Sequence, residues 1–276
     1  MSSAASDAPA RGWDCHAHVF GPYARFALSA ARSYTPPEAP IEDYLGLLAR
    51  LRLAHGLLVQ PSAYGDDHAL LFEALAAQPA LRGVIVARLE RLPTPGTLRA
   101  RGVRAARYSH RSGAGANFAG SASFDDLLQM APALADAGLH AELWTDCRAL
   151  PAIAAAIVEL PVPVVIDHMG GFDVASGVGD PGFACLLSLV SSGHAWVKLC
   201  AYRNLQGAAD FESGKVFHDA LLRANPQRLL WGSDWPHLRV TPAPDAATLL
   251  DTFKRWTASD ALVAQILERN PALLYL

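Results

Sequence analysis

The stretch Trp13-Asp14-Cys15-His16-Ala17-His18-Val19-Phe20 opens the patterned part of the chain, and Leu230-Trp231-Gly232-Ser233-Asp234-Trp235-Pro236-His237 stands near its end. The first reads as a buried strand carrying two histidines one residue apart. Strand side chains alternate between faces, so His16 and His18 project to the same side. The second is an apolar run that ends on a carboxylate, Asp234. Two stretches so far apart in sequence meet only if the strands between them close into a barrel, and the fold turns on that reading.

Working outward, strand-like runs alternate with helical patterns along the whole chain. The strands are expected at Trp13–Phe20, Gly56–Gln60, Arg82–Ala87, Val103–Tyr108, His140–Thr145, Val162–Asp167, Ala195–Leu199 and Arg228–Gly232. Helical periodicity is expected over Ile41–Arg52, His68–Gln78, Phe124–Ala137, Ala149–Glu159, Phe183–Ser191, Gly214–Ala224 and Ala246–Trp256. Alternation of this kind predicts a parallel sheet, and eight strands predict a single (β/α)8 TIM barrel, with room for slight distortion. A doubly wound open sheet is the competing fold, but no glycine-rich dinucleotide turn follows any strand. The irregular segments Gly21–Pro40, Arg111–Ala122 and Gly170–Gly182 follow the first, fourth and sixth strands. In a barrel they share the C-terminal rim, where active sites form.

The chain of 276 residues is 51% hydrophobic and 18% charged, enough for one large core, with a net charge of -3. No basic field invites nucleic acid, and no polybasic segment invites a membrane surface. Residues 1–10 read as a loose tail without the apolar core of a signal peptide, leaving 11–276 as one domain. Cys15, Cys147, Cys185 and Cys200 fit neither a zinc ribbon nor a disulfide scaffold and read as reduced thiols. Together these features predict a cytoplasmic enzyme, with assembly into a homo-oligomer left open.

His16 and His18 end the first strand, His168 follows the sixth, and Asp234 follows the eighth, so all four converge on one rim. Neutral imidazoles and a carboxylate can ligate a divalent metal, or act as acids, bases and carbonyl polarisers without one. Arg107 ends the fourth strand and Arg203 follows the seventh; an arginine fork suits a carboxylate. Glu142 and Lys198 fall inside the fifth and seventh strands, where buried charges are expected to pair. Cys15 is expected to point away from His16.

Five stretches carry a family resemblance. They are residues 14–22 with the two histidines, 59–67 with Gln60-Pro61-Ser62, 102–108 ending on Arg107-Tyr108, Ile166-Asp167-His168-Met169-Gly170, and 231–237 around Asp234. In this order they resemble the amidohydrolase superfamily, in particular the branch of 2-pyrone-4,6-dicarboxylate lactonase, 4-sulfomuconolactone hydrolase and D-galactarolactone isomerase. The resemblance implies a hydrolase that opens a carboxylated lactone in aromatic or sugar-acid breakdown. Asp234 would activate water, and His16, His18 and His168 would polarise the carbonyl. Arg107 and Arg203 would hold the carboxylate, and Tyr34 and Ser62 match substrate-contacting positions. Trp144 and His237 complete the substrate-side candidates, His237 as the residue that orients the Asp234 loop.

The departures from the family are informative. Metal-binding members place a histidine at the end of the fifth strand, where Trp144 stands instead, and His140 lies at the opposite end of that strand. The fourth strand ends without a metal ligand. No metal is therefore expected, with one divalent ion, zinc or manganese, on His16, His18, His168 and Asp234 as the alternative. Gly113 and Gly171 occupy places where the pyrone-dicarboxylate enzyme has arginines, with Arg111 as one replacement, which suggests a substrate with fewer carboxylates. A metal-dependent decarboxylase or hydratase and a lactone isomerase are the alternative activities.

Overall fold

A computed structural model describes residues 9–91, 95–115, 117–206 and 211–276; residues 1–8 of the expected tail lie outside the described residues. Eight parallel strands pair in sequence order: β1 (Trp13–Ala17), β2 (His55–Val59), β3 (Leu81–Val86), β4 (Val103–His110), β5 (His140–Thr145), β6 (Val164–Ile166), β7 (Ala195–Leu199) and β8 (Leu229–Trp231). A two-residue segment, Ala122–Ser123, pairs beside β4. Helices α1 (Ile41–Leu51), α2 (Ala69–Ala77), α3 (Pro95–Ala100), α4 (Phe124–Asp136), α5 (Leu150–Glu159), α6 (Pro181–Ser191), α7 (Lys215–Ala224) and α8 (Ala246–Thr257) lie between or after the strands. The fold is the expected (β/α)8 barrel, nearly closed. No described helix is long and apolar enough to cross a membrane.

The helices form for local reasons. In α1, Tyr44, Leu47, Leu48 and Leu51 are buried at the spacing that makes one apolar stripe. Helix α4 starts on a capping box in which Ser123 Oγ accepts from Asp126 N and the Asp126 carboxylate accepts from Ser123 N. Two helical segments lack a signal that periodicity could detect. Helix α3 is six residues long and opens on Pro95-Gly96. The last stretch, Asp260–Tyr275, changes pitch at Gln265–Arg269 and carries Pro271.

Alternate strand residues divide the core in two. One set packs outward against the helices, including Leu58, Ile85, Ala106, Leu143, Ile166 and Val197. The other fills the barrel: Cys15, Leu57, Val59, Val84, Ala105, Val165 and Leu230, with Trp13 and Tyr275 below them. Tyr275 stoppers the N-terminal end, its ring 5.5 Å from Trp13 and its carbonyl accepting from Arg104 Nε at 2.8 Å. Chemistry is thereby confined to the other end.

The barrel is distorted where the site needs it. The β1–β2 register slips between Asp14 and Ala17, as at a bulge. Cys15 therefore packs in the barrel interior while His16 also reaches inward to Lys198. The expectation that Cys15 points away from His16 fails because the slip breaks strict alternation. Between β8 and β1 a single parallel bridge, Ala17–Trp235, replaces a full ladder. Asp234 N donates to His16 O and His18 N donates to Trp235 O, both at 2.8 Å. The Asp14 carboxylate closes the rest of the seam by accepting from Ser233 N at 2.8 Å and Ser233 Oγ at 2.6 Å. Burial pushes its pKa up to about 6 against those hydrogen bonds.

Gly232 makes this seam close enough. A Cβ there would stand 2.6 Å from His16 Cβ and 2.9 Å from His16 N. Gly232→Ala is expected to cost about 1–3 kcal/mol through overpacking and to lower turnover by displacing His16. Urea unfolding beside a rate assay checks this, and an unchanged midpoint with unchanged rate would contradict it.

Candidate active site

The C-terminal rim surrounds a cavity of about 420 Å³, a volume suited to a small organic acid. His18, His168, Asp234, Arg107, Arg203, Tyr34, Ser62 and Trp144 all line it. His16 is fully buried, with its ring centroid 5.0 Å from that of His18 and 4.8 Å from that of His168. His237 does not line the cavity. Its Nε2 lies 3.1 Å from Ser233 O and its ring meets Tyr202 edge-on, so it braces the Asp234 loop instead of facing a ligand.

Sharp turns present the reactive groups. Asp234 has φ 57, and the run His168, Met169, Gly170, Gly171 has φ 51, 53, 66 and 56. Left-handed backbone costs non-glycine residues about 1–2 kcal/mol each, and such strain gathers at functional sites. Asn204 Nδ2 donates to His168 O at 2.8 Å and holds the turn.

Asp234 has two unlike oxygens. Oδ2 accepts from Tyr202 O–H at 2.7 Å, from Arg203 Nε at 2.8 Å and from Arg203 Nη2. Oδ1 is buried with no hydrogen-bond partner and faces His18 Nε2 at 3.4 Å and His16 Nε2 at 3.7 Å. Burial alone would raise this carboxyl, but Arg203, followed by His168, holds it well below the usual carboxylate range. Arg203 thus orients Asp234 and keeps it ionised while itself lining the cavity, with Nη1 only 3.4 Å from Leu238 O. Arg107 donates from Nη2 to Asp167 Oδ2 at 3.0 Å, and its Nε remains buried and unpartnered on the cavity wall.

The histidine protons follow from the network. His18 Nδ1 lies 2.7 Å from Val59 O and donates there, and its Nε2 faces Asp234 Oδ1 at 3.4 Å. Lys198 Nζ sits 2.6 Å from Glu142 Oε2, 3.3 Å from Asp167 Oδ1 and 3.1 Å from His16 Nδ1. His16 Nδ1 also lies 3.3 Å from Asp167 Oδ1, and its Nε2 faces Asp234 Oδ1. Burial, reinforced by Lys198, keeps the His16 pKa well below its ordinary value, and burial lowers His168 to about 4. Both rings are neutral donors at neutral pH.

The expected Glu142–Lys198 pair is present and wholly buried. Its extension to Asp167 was not anticipated. Burial opposes ionisation of both Lys198 and Asp167, but Glu142 and Asp167 raise the lysine pKa, while Lys198, His16 and Arg107 hold Asp167 well below its usual value. Asp167 was legible as a carboxylate ending an apolar strand, which must be paired. Tyr202 and Asn204 carried no such signal, because they act through a turn that only the fold defines.

The donors can be tested against a metal ion. His16 Nε2, His18 Nε2 and Asp234 Oδ1 lie within 4.8 Å of one another, and His16 Nε2 and Asp234 Oδ1 are buried without hydrogen-bond partners. That spacing fits three ligands of one divalent ion. His18 also makes the Nδ1–carbonyl bond usual for a ligand, and His16 Nδ1 has both the Asp167 carboxylate at 3.3 Å and the Lys198 ammonium at 3.1 Å beside it.

A nearly closed parallel barrel with histidines in and just after β1 and an aspartate after β8 defines an amidohydrolase-type site. The chain matches the Amidohydro_2 family of amidohydrolases over residues 13–276, and it belongs to that family. It is 34% identical to the 4-sulfomuconolactone hydrolase of Rhizobium radiobacter over 273 residues, covering 97% of this chain and 90% of that protein. It is 29% identical to a 2-pyrone-4,6-dicarboxylate hydrolase of Comamonas testosteroni over 282 residues, covering 97% and 90%. A solved Agrobacterium tumefaciens structure superposes with TM-score 0.86 at 22% identity, covering 99% of this chain and 98% of that one; this likeness speaks to the fold.

Lys198→Met is expected to destabilise the protein by about 3–5 kcal/mol, because it strands buried carboxylates. Glu142→Gln combined with Lys198→Met should recover a large part of the loss. Urea midpoints of wild type, both single variants and the pair measure this, and additive losses would contradict a coupled pair.

Proposed function

We propose that the protein is a hydrolase that opens a carboxylated lactone with water activated by Asp234. The observation that carries this is the division of labour on Asp234: Oδ2 is fixed by Arg203 and Tyr202, and Oδ1 stands unpartnered in the cavity floor between His16 and His18. The relatives named above, hydrolases of a sulfomuconolactone and a pyrone dicarboxylate, support the substrate class.

The steps follow from the groups in place. Arg107 offers the cavity-facing part of its guanidinium to the carboxylate of the lactone, and Tyr34 and Ser62 donate from the neighbouring wall. Asp234 Oδ1 takes a proton from water, and the hydroxide adds to the ring carbonyl. The N–H groups of His16 and His168, both neutral, stabilise the oxyanion without first losing a proton of their own. Collapse breaks the ring C–O bond, and Asp234 returns the proton to the departing enol or alcohol oxygen. The new carboxylic acid ionises, so each turnover releases one proton. Were a divalent ion bound, His16, His18 and Asp234 would hold it, and it would supply carbonyl polarisation and a more acidic water. We propose a metal-free reaction, supported by charge: Lys198, Arg107 and Arg203 already match Glu142, Asp167 and Asp234 in a buried site.

The test is a pH-indicator assay over a panel of carboxylated lactones, run beside metal analysis of the purified protein. Acid release that survives chelation supports the reading; loss on chelation with recovery by zinc or manganese transfers the carbonyl chemistry to an ion. A product that is another lactone, with no acid released, would indicate an isomerase. Asp234→Asn should lower kcat at least about a thousandfold while Kd for an unreactive analogue changes little. Near-wild-type turnover in that variant would defeat the assignment.

The pH profile has a defined sign. Asp234 is ionised well into the acid range, and His168 is neutral until the pH falls to about 4. kcat/KM is therefore expected to stay flat between about pH 5 and 8 and to fall as the pH drops through about 4, when His168 takes a proton. An acid limb centred near neutrality, in protein shown to be folded by circular dichroism, would contradict this.

A further inference from the structure

The segments that bring His16, His18 and Asp234 together are not joined by a regular ladder. Between β8 and β1 there is the bridge Ala17–Trp235, with the backbone bonds from Asp234 N to His16 O and from His18 N to Trp235 O. Asp234 itself is held in the left-handed region at φ 57. Its Oδ1 nevertheless stands 3.4 Å from His18 Nε2 and 3.7 Å from His16 Nε2.

A pair of side chains behind the cavity wall ties these segments together. Asp14 Oδ1 accepts from Ser233 N at 2.8 Å and from His16 N at 3.2 Å, and Oδ2 accepts from Ser233 Oγ at 2.6 Å. Ser233 Oγ in turn accepts from Trp235 N at 3.1 Å. The clasp therefore reaches His16 on one segment and grips the residues on both sides of Asp234 on the other. Asp14 and Ser233 are fully buried and do not line the cavity, so neither touches a ligand.

Stability alone does not explain a carboxylate at this place. Glu142, Asp167 and Asp234 each face a cation. Among the described residues no cation pairs with Asp14, whose partners are neutral N–H and O–H groups. Burial opposes its charge. An asparagine of the same shape would still accept from Ser233 N without burying a charge. It would turn an NH2 group toward Ser233 Oγ, however, and the hydroxyl hydrogen would lose its acceptor. Hydrogen bonds to a carboxylate are shorter and stronger than neutral ones. That strength matters where a strained turn carries a reacting group, because a misplacement of about 1 Å costs about a hundredfold in rate.

We infer that Asp14 and Ser233 are positioning residues for the reaction, a charged clasp that holds Asp234 Oδ1 between His16 and His18. This rests on the reading of Asp234 as the group that activates water, and it deepens it. Two residues that never meet the substrate set the rate of its conversion and leave its binding alone.

The experiment measures kcat, KM and urea midpoint for wild type, Asp14→Asn, Ser233→Ala and the double variant. Each single variant should lower kcat about tenfold, as for a displacement of about half an ångström, with KM little changed. The double variant should be no slower than the slower single, because both changes break one clasp. Asp14→Asn should keep its urea midpoint, since its shape is retained and a buried charge is removed. It carries the test alone if Ser233→Ala does not fold. A clasp that serves stability only gives the reverse, a lower midpoint with kcat per folded molecule unchanged, and that result overturns the inference. Long-range 1H–15N spectra of the imidazoles separate this from failure of the lactone reading. If wild type turns over no lactone, movement of the His16 and His18 signals in Asp14→Asn, with the signal of His68 on Val86 O unmoved, still supports the clasp. Unmoved His16 and His18 signals overturn it.

Discussion

The structure depends on charge neutrality inside a closed barrel. Glu142, Asp167 and Asp234 are buried, and each is matched by a cation from another strand or loop: Lys198, Arg107 and Arg203. Unpaired charges at that depth would cost several kcal/mol each, and removing one partner costs more than the pair contributes. The network links β4, β5, β6, β7 and the turn after β8. It therefore fixes the relative placement of the elements that present the reactive groups, and it sets their protonation. Arg203 keeps Asp234 ionised, and burial keeps His16 and His168 neutral.

Strain and irregularity are concentrated around the same network. The register slip in β1, the left-handed turn at His168 and the single bridge at the β8–β1 seam all depart from regular barrel geometry. Each moves a side chain to where regular alternation would not have placed it. The apolar cores inside and outside the barrel, and the Tyr275 stopper, supply the stability that tolerates these departures.

Much of this was readable in advance. All eight strands form within a few residues of their expected positions, because short buried β-runs and amphipathic helices announce themselves by period. His16, His18, His168 and Asp234 converge as their strand-end positions required. The reading of roles was less complete. Arg203 looked like a substrate anchor because it follows a strand at the rim, yet its forks close on Asp234. His237 was read as the residue that orients the Asp234 loop, and it lies behind that loop against Ser233 and Tyr202. Asp167, Tyr202 and Asn204 act through partners distant in sequence, and nothing in their own neighbourhoods names those partners.

The division has a physical basis. The sequence by itself determined the barrel, its active end and the residue types gathered there, because hydrophobic period and strand-end position are local properties of the chain. Only the tertiary structure decided which cation faces which carboxylate and which buried polar atoms are left without a partner. Those are matters of a few ångströms between side chains brought from different strands, and electrostatic energies in a buried site are set at that scale.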